Sequence, residues 1–375
     1  MTANSTRLIA AQRLLAPDGR LGPGWVEIAG DRITASGVGS APGATDESYD
    51  GIVAPGLVDI HAHGGGGANF NANLDEAATV LATHRRQGTT TMVASLVTNS
   101  IDIVADQARA LAPLVADGQL AGIHLEGPWL SQAHKGAHPV EWLRPPNLAD
   151  IATILDAAGG AVTMVTIAPE LPGGLEAVSY LAGRGVTVAI GHTDADYATT
   201  TQAIACGARG ATHLFNGMPE LLHRAPGPAL ALWQDQRVWV ELVCDGVHLA
   251  TELIAQVMAT KPDKVVLITD AMAAAGLADG DYPLGVLTAE VRDGVARVAG
   301  TDTIAGSTLT LDRAVRVAVA AGVPVDLALL AATAHPGDYL GLSGVGRIAP
   351  GHRADLVVLG DDLTVERVMW RGSWQ

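Results

Sequence analysis

Eight short apolar runs that alternate with helix-forming segments are the feature that most constrains the fold of this chain. The runs have the length of buried β-strands, and the segments between them repeat apolar residues every three to four positions, as at Leu74, Ala78 and Leu81. Eight β-then-α repeats close a TIM, or (β/α)8, barrel. The sequence therefore predicts an α/β protein built on this barrel, with strands at residues 57–63, 89–97, 121–126, 162–168, 186–192, 211–215, 238–244 and 264–270.

An open, doubly wound parallel sheet is the alternative that the same alternation allows. Sheets of that kind that bind dinucleotides carry a Gly-x-Gly-x-x-Gly motif after the first strand. No such motif follows residues 57–63. The barrel is therefore the favoured prediction.

The two ends of the chain differ from this middle part, because both contain short strands separated by glycine and proline. Near the amino end these strands are expected at 7–10, 25–28 and 31–34, and near the carboxyl end a strand-and-turn region at 347–359 precedes a strand at 365–370. We expect residues 1–55 and 345–375 to pair into a small β-sandwich domain formed from both chain termini. Residues 56–344 would then form the barrel catalytic domain.

The composition disfavours several classes of partner. Lys and Arg number 23 against 39 Asp and Glu, and the net charge of −16 disfavours nucleic acid and anionic membranes. An anionic substrate would need locally placed cations. Only Cys206 and Cys244 are present, which is typical of a reducing compartment, and no segment approaches the roughly 18 apolar residues that span a bilayer. We therefore expect a cytoplasmic protein.

Side chains that bind metals follow the predicted strands at the ends where such a barrel carries its active site. They are His61 and His63 at the end of the first strand, Glu126 on the third, His192 on the fifth, His213 on the sixth and Asp270 on the eighth. Imidazole nitrogens and carboxylate oxygens are the ligands that Zn²⁺ and similar divalent ions prefer. The set supplies enough donors for one or two ions per subunit, and Asp270 could exchange protons with a metal-activated water.

Each of these residues taken alone also has a purely structural explanation. A histidine at a strand end is commonly hydrogen-bonded within the core, and an aspartate there commonly caps the next helix. The metal site is predicted because six such residues converge on one rim of the barrel.

The motifs around these residues resemble those of a known family. They are the stretches 55–64, 124–129, 135–138, 191–193, 212–219, 245–248, 269–271, 306–307 and 351–355, which read PGLVDIHAHG, HLEGPW, KGAH, GHT, THLFNGMP, DGVH, TDA, GS and GHRAD. Over nearly its whole length the chain resembles the N-acetylglucosamine-6-phosphate deacetylases of the amidohydrolase superfamily.

The resemblance implies hydrolysis of the N-acetyl group of an amino-sugar 6-phosphate, which gives acetate and the free amino sugar phosphate. It implies that Glu126, His192 and His213 bind one metal and that Asp270 is the general base and acid. His61 and His63 would help to hold a second ion, although some members of the family lack this pair and use one metal. The resemblance also implies a homodimer with Arg224 and its loop near the subunit contact.

For the substrate, the resemblance points to a further set of residues. They are His138 beside the acetyl group, Asn216, Gly217, Arg224 and His248 at the sugar phosphate, and Ile304, Ala305 and Gly306 along the sugar pocket. The loop at 130–139 is expected to close over the site. His134 departs from the family pattern, in which a second basic residue commonly stands beside Lys135.

Alternative functions remain open at this stage. One is deacetylation of the galactosamine epimer, and another is a different amidohydrolase, such as a cyclic-amide hydrolase or a nucleobase deaminase, without the phosphate loop. A third is a barrel that has lost catalysis and serves as a binding protein, which the complete set of ligands and the general base disfavours.

Overall fold

The computed structural model describes residues 6–71, 73–285 and 287–375. Its strands are β1 Arg7–Leu15, β2 Leu21–Ala29, β3 Arg32–Val38, β4 Glu47–Pro55, β5 Leu57–Ala62, β6 Gly64–Gly65, β7 Ala68–Asn69, β8 Thr89–Val97, β9 Gly122–Glu126, β10 Val162–Ile167, β11 Thr187–Ile190, β12 Gly210–Ala211, β13 Trp239–Val243, β14 Val265–Ile268, β15 Gly280–Leu284, β16 Leu287–Arg292, β17 Val295–Val298, β18 Leu356–Leu359, β19 Val365–Trp370 and β20 Ser373–Trp374.

The α-helices lie between and around these strands. They are α1 Leu74–Arg86, α2 Ile101–Ala116, α3 Leu148–Ala158, α4 Gly174–Gly183, α5 Tyr197–Cys206, α6 Gly227–Gln234, α7 Thr251–Thr260, α8 Leu311–Ala320, α9 Val325–Ala331 and α10 Ala334–Leu340, and short 3₁₀ helices lie at Gln132–His134 and Val140–Trp142. Within the described ranges, every helix is too short or too polar to cross a bilayer.

The predicted TIM barrel is confirmed. Eight parallel strands form one sheet in the order β14-β13-β12-β11-β10-β9-β8-β5. The sheet closes where the first and last strands end, because the Asp270 amide donates to the His61 carbonyl at 2.9 Å and the His63 amide donates to the Ala271 carbonyl at 2.8 Å. The carboxyl ends of all eight strands therefore meet at one rim.

Helix α2 illustrates how the sequence builds the outer layer. The Ser100 side chain caps its first turn by accepting a hydrogen bond from the Ile103 amide. Val104, Ala108 and Leu111 follow at three- to four-residue spacing and are buried. Burying each large aliphatic side chain contributes roughly 1.5–3 kcal/mol, so this face holds the helix on the barrel.

The sixth strand is much shorter than predicted. β12 ends at Ala211, so the expectation that it continues to residue 215 and carries His213 is wrong. The backbone turns sharply there, with φ of 29° at His213 and 78° at Phe215, and the Leu214 amide donates to the Glu241 carbonyl of the next strand at 2.9 Å. This turn places His213 above the strand end, over the mouth of the barrel.

Strands from both chain termini form a separate seven-stranded sheet in the order β20-β19-β18-β4-β1-β2-β3, as the sequence predicted. The sheet curls, because the edge strand β3 pairs with the segment before β18 through the Ile33 amide and the His352 carbonyl, 2.9 Å apart. The curled sheet encloses a small apolar core that includes Ile9, Val26 and Leu356.

A third sheet was not predicted. Strands β15, β16 and β17 form an antiparallel meander between the last barrel strand, β14, and helix α8, and they pack on Met272, Ala273 and Ala305. The β16–β17 turn has positive φ at Asp293 and Gly294, as a tight two-residue hairpin turn requires. This sheet brings a new hairpin to the rim of the barrel.

A buried ion pair fastens the terminal sheet to the barrel. The Arg353 guanidinium donates to the Asp355 carboxylate and, at 2.6 Å, to the Thr91 hydroxyl on barrel strand β8. The Asp355 carboxylate also accepts the Arg371 amide at 2.7 Å. The side chains of Arg353 and Asp355 are only 16% and 7% exposed, so little water competes for them.

Asp355→Ala should therefore destabilise the protein by about 3 kcal/mol, because it leaves the Arg353 charge buried without its partner. Urea unfolding followed by tryptophan fluorescence measures the change. Asp18→Ala is the matched control, since it removes an ion pair with Arg20 that lies on the surface, and its midpoint should stay at the wild-type value. Equal midpoints for the two variants would contradict this assignment.

Candidate metal centre and active-site cavity

Two clusters of side chains that could hold a metal ion lie at the rim of the barrel. One consists of His61, His63 and Asp270, and the other of Glu126, His192 and His213. In each cluster the donor atoms lie within 4.8 Å of one another. The six residues that the sequence singled out are thus brought together from five different strand ends.

Glu126 lies between the two clusters and is 3% exposed. Its Oε1 atom is 3.1 Å from His213 Nε2 and 3.3 Å from His192 Nε2. Its Oε2 atom is 3.0 Å from His63 Nε2. A carboxylate oxygen therefore lies beside each cluster, so Glu126 could provide a ligand to an ion at either one.

Each of the four imidazoles is oriented by a hydrogen bond at Nδ1. The acceptors are the Glu241 carboxylate for His61 at 3.1 Å, the Ser95 carbonyl for His63 at 3.1 Å, the His134 carbonyl for His192 at 2.7 Å and the Asn216 carbonyl for His213 at 3.2 Å. Carboxylate and carbonyl oxygens only accept, so Nδ1 carries the proton in every ring. In the neutral rings the Nε2 lone pairs then point into the site.

These lone pairs explain why the donor set fits a metal. His61 Nε2 lies 3.2 Å from His63 Nε2, and His192 Nε2 lies 3.1 Å from His213 Nε2. Two nitrogen lone pairs at this separation repel each other unless a positive charge lies between them. Imidazole and carboxylate donors in such pairs are those that zinc and related divalent ions use.

The electrostatics of the clusters favour positive charge. Burial opposes protonation of His63, but the Asp270 and Glu126 carboxylates outweigh it and raise the pKa of the imidazole to about 9. Burial likewise opposes ionisation of Glu126, yet the surrounding histidines hold its pKa well below the usual range. Both carboxylates are therefore ionised at neutral pH, and the clusters attract cations.

Three of the six residues have a strained backbone. His192, His213 and Asp270 have φ of 46°, 29° and 48°, a region that residues other than glycine rarely adopt. Strain of this kind costs about 1–3 kcal/mol per residue and persists where the surrounding structure holds it. The Ser307 amide holds Asp270 by donating to its carbonyl oxygen at 2.8 Å, and a Cβ atom at the preceding Gly306 would lie 2.8 Å from the same oxygen.

A cavity of about 380 Å³ opens directly above the two clusters. Seven of the residues predicted to contact substrate line it, namely His138, Asn216, Gly217, His248, Ile304, Ala305 and Gly306. The prediction missed other lining residues, among them Thr98, Trp142, Leu284 and Asp302. His61 is fully buried beneath the floor of the cavity.

Arg224 is the one predicted substrate residue that does not line the cavity of its own chain. It lies on the exposed loop that follows the sixth strand, next to the exposed side chains of Leu221 and Leu222. Among the described residues that line the cavity there is no lysine or arginine. The cationic groups available inside the chain's own cavity are therefore histidines.

His248 lies at the cavity wall and is paired with Asp245. The Asp245 carboxylate accepts its Nδ1 proton at 2.7 Å and also accepts the backbone amide of His248 at 2.9 Å. Burial opposes protonation, but the Asp245 hydrogen bond and charge outweigh it and raise the pKa of His248. Within this chain His248 is thus a group that suits an anionic part of a ligand.

His138 has the opposite character. Burial, together with the neighbouring His192 ring, lowers the pKa of His138 to about 3, so the His138 ring is neutral. Its Nδ1 atom is 2.8 Å from the Thr98 hydroxyl, which itself donates to the Glu126 carbonyl. His138 therefore donates from Nδ1 to Thr98 and turns an acceptor, Nε2, toward the cavity.

The segment at 130–139 packs against the second cluster. The Ser131 amide donates to the His192 carbonyl at 2.7 Å, and the His134 carbonyl accepts from the His192 ring. The His134 side chain pairs with Asp194 at 3.0 Å. Here His134 holds the segment to the fifth strand end rather than facing the cavity.

A model of the protein family described as "Amidohydrolase family" matches residues 52–374. The chain belongs to the amidohydrolase family. The metal dependence of that superfamily agrees with the two clusters, and the resemblance read from the motifs is confirmed.

Two curated relatives of this amidohydrolase have named activities. The N-acetylgalactosamine-6-phosphate deacetylase of Escherichia coli O157:H7 is 34% identical over 98% of this chain and 99% of the relative. The N-acetylglucosamine-6-phosphate deacetylase of Vibrio furnissii is 33% identical over 87% of this chain and 86% of the relative.

One solved structure is more similar in sequence to this chain than these two relatives are. It is a variant of the N-acetyl-D-glucosamine-6-phosphate deacetylase of Mycobacterium smegmatis in complex with N-acetyl-D-glucosamine-6-phosphate. It is 48% identical, the match covers 99% of both chains, and the TM-score is 0.96. The barrel, the terminal sheet and their arrangement are thus shared with that protein.

Removal of metal by a chelator should lower the thermal unfolding midpoint, because the folded protein then loses the binding free energy of ions that the unfolded chain does not hold. We expect the midpoint to fall by on the order of 5–10 °C and to recover when Zn²⁺ is added, since a ligand present at a concentration far above its dissociation constant stabilises the folded state by this much. Differential scanning calorimetry measures the shift. Glu126→Gln removes the shared charge and should abolish the metal-dependent rise; a wild-type midpoint indifferent to metal would count against the site.

Proposed function

We propose that this protein hydrolyses the N-acetyl group of N-acetyl-D-glucosamine 6-phosphate to D-glucosamine 6-phosphate and acetate, as in amino-sugar catabolism and recycling. The observation that carries the proposal is the pair of donor clusters on either side of Glu126, under a cavity whose wall includes the Asp245-paired His248. The named activities of the relatives support it, and the M. smegmatis complex supports the glucosamine epimer.

The proposed cofactor is zinc. Glu126, His192 and His213 would hold one ion, and His61, His63 and Asp270 offer the donors for a second. A bound divalent ion lowers the pKa of its water toward neutrality and polarises the acetyl carbonyl of the substrate.

Asp270 is the proposed general base and acid. Its Oδ1 atom lies 3.3 Å from His63 Nε2, at the floor of the cavity, and its pKa is depressed by the neighbouring histidines despite burial. As a carboxylate it can take the proton of the attacking water. It then returns that proton to the amide nitrogen, so that the C–N bond breaks and the amine leaves with acetate formed.

The other proposed roles position the substrate. His138 presents Nε2 as an acceptor for the N–H of the acetamido group, and the stretch Ile304 to Gly306 lines the sugar pocket. Asn216, Gly217 and His248 lie where they can bind the sugar phosphate. Glycine suits position 217, because φ is 61° there and a Cβ atom would lie 3.0 Å from His192 Nδ1.

We also propose a homodimer in which Arg224 completes the phosphate site of the partner subunit. Three features support this: Arg224 is exposed, it lies outside its own cavity, and two exposed leucines stand beside it. A guanidinium offers paired donors that suit a phosphate. We further propose that the protein is cytoplasmic. Its small β domain would comprise residues 1–55 and 345–375, and its barrel domain residues 56–344.

The proposal is tested by acetate release from N-acetylglucosamine 6-phosphate, its galactosamine epimer and unphosphorylated N-acetylglucosamine. We expect the highest kcat/KM for the first. Equal rates for the phosphorylated and the unphosphorylated sugar would contradict the assignment of a sugar phosphate as substrate. A higher kcat/KM for the galactosamine epimer would favour N-acetylgalactosamine-6-phosphate deacetylation, the activity of the E. coli relative.

Asp270→Asn should reduce kcat by roughly 10²-fold or more, because the amide cannot take up or return the proton. Acetate release under saturating substrate measures it. Metal analysis of the same sample is the control, since the remaining five donors should keep at least the ion at Glu126, His192 and His213. Near-normal turnover would refute the role of Asp270.

Arg224→Ala should lower kcat/KM for the phosphorylated sugar and leave the slow reaction of the unphosphorylated sugar unchanged. The matched control is Arg237→Ala, another loop arginine, which pairs with Asp235 at the surface. Mixing Arg224→Ala with Asp270→Asn subunits then tests the partner contribution. If Arg224 acts across the interface, one active site of the mixed dimer carries both substitutions. The other active site carries neither, so activity returns.

A further inference from the structure

Glu241 is a charged residue in the middle of barrel strand β13 and is fully buried. Its neighbours along the strand, Val240 and Leu242, are apolar and buried as well. Placing a carboxylate in such an interior is costly unless it is paired. The roles proposed above for binding and proton transfer do not use Glu241.

The partner of Glu241 is a metal-binding histidine. Glu241 Oε2 lies 3.1 Å from Nδ1 of His61, whose side chain is also fully buried. The second oxygen, Oε1, is buried and has no hydrogen-bond partner among the described residues. Glu241 does not line the cavity, so it cannot touch a substrate there. Any effect it has on the site passes through the His61 ring.

The other three imidazoles provide an internal comparison. His63, His192 and His213 donate from Nδ1 to neutral backbone carbonyls. His61 alone donates to a carboxylate. A carboxylate acceptor increases the basicity of the imidazole and fixes its orientation, and so strengthens the bond that the opposite nitrogen makes to a metal. His61 Nε2 is therefore the strongest imidazole donor of the four.

That nitrogen faces one cluster in particular. His61 Nε2 lies 3.2 Å from His63 Nε2 and 3.6 Å from Asp270 Oδ1. We infer that Glu241 is a positioning residue that orients His61 and strengthens its bond to a divalent ion held by His61, His63 and Asp270. The inference deepens the proposed function and rests on its metal centre.

A simpler role for Glu241 makes different predictions. It could pair with a protonated His61 in a protein that binds only the ion at Glu126, His192 and His213. In that case the wild-type chain binds one ion, and neutralising Glu241 leaves the metal content unchanged. The number of ions bound therefore separates the two roles.

The test is a titration of the metal-free full-length protein with Zn²⁺ by isothermal calorimetry, with metal analysis of the dialysed product. For the wild type we expect two ions per chain. Glu241→Gln keeps the size and an acceptor oxygen but removes the charge, and it should weaken one of the two steps roughly 10- to 100-fold. The step at Glu126, His192 and His213 should keep its affinity.

Asp312→Asn is the matched control. Asp312 in α8 is also a buried carboxylate with one paired oxygen, 2.7 Å from the Arg316 guanidinium, and one oxygen that lacks a hydrogen-bond partner in the described chain. It belongs to neither metal cluster. Both binding steps should remain at wild-type affinity in this variant, which separates a charge effect at His61 from a general effect of burying an amide.

Two results would overturn the inference. One is a wild-type protein that binds a single ion in excess zinc, and the other is Glu241→Gln with both wild-type affinities. Should Glu241→Gln fail to fold, Glu241→Asp takes its place, because it keeps the charge but draws the carboxylate back from His61 Nδ1. One binding step should weaken in that variant, and wild-type affinity at both steps would overturn the inference. Acetate release is measured separately. A protein that binds two ions but releases no acetate would contradict the proposed function and leave the inference about Glu241 intact.

Discussion

The repulsion among ligand atoms at the barrel rim is the constraint on which the site depends. Four imidazole nitrogens and two carboxylates point into one small buried volume, with like atoms as close as 3.1 Å. Hydrogen bonds at each Nδ1 prevent the rings from turning away, and strained backbone at three strand ends aims the side chains inward. Such an arrangement is stable when cations occupy it, which links the fold directly to metal chemistry.

Much of the fold could be predicted because buried parallel strands leave a strong signal. The continuous apolar runs and the helical spacing between them indicated the barrel, and the β-rich ends indicated the terminal sheet. The sixth strand misled the prediction, since residues 211–215 look apolar while the backbone turns after Ala211 to bring His213 over the rim. The β15–β17 sheet was overlooked, although Asp293-Gly294 between alternating residues is a recognisable hairpin signal.

The site was partly predictable for a related reason. Strand-end residues converge in any closed barrel, so the six metal-binding candidates could be gathered without coordinates. Their hydrogen-bond acceptors could not, because three of the four are backbone carbonyls, which carry no sequence signal. Glu241 did leave a signal, as a single charge inside an apolar strand. That Arg224 lies outside the cavity of its own chain is a matter of loop geometry, and spacing along the sequence says nothing about it.

The central claim is that Glu126, His192 and His213 bind a common ion. Anomalous diffraction across the zinc absorption edge, from crystals grown with Zn²⁺, locates that ion without reference to activity. The account predicts an anomalous peak about 2.0–2.2 Å from a Glu126 oxygen and from Nε2 of both histidines. A zinc-loaded crystal with no peak in contact with these three residues would contradict it.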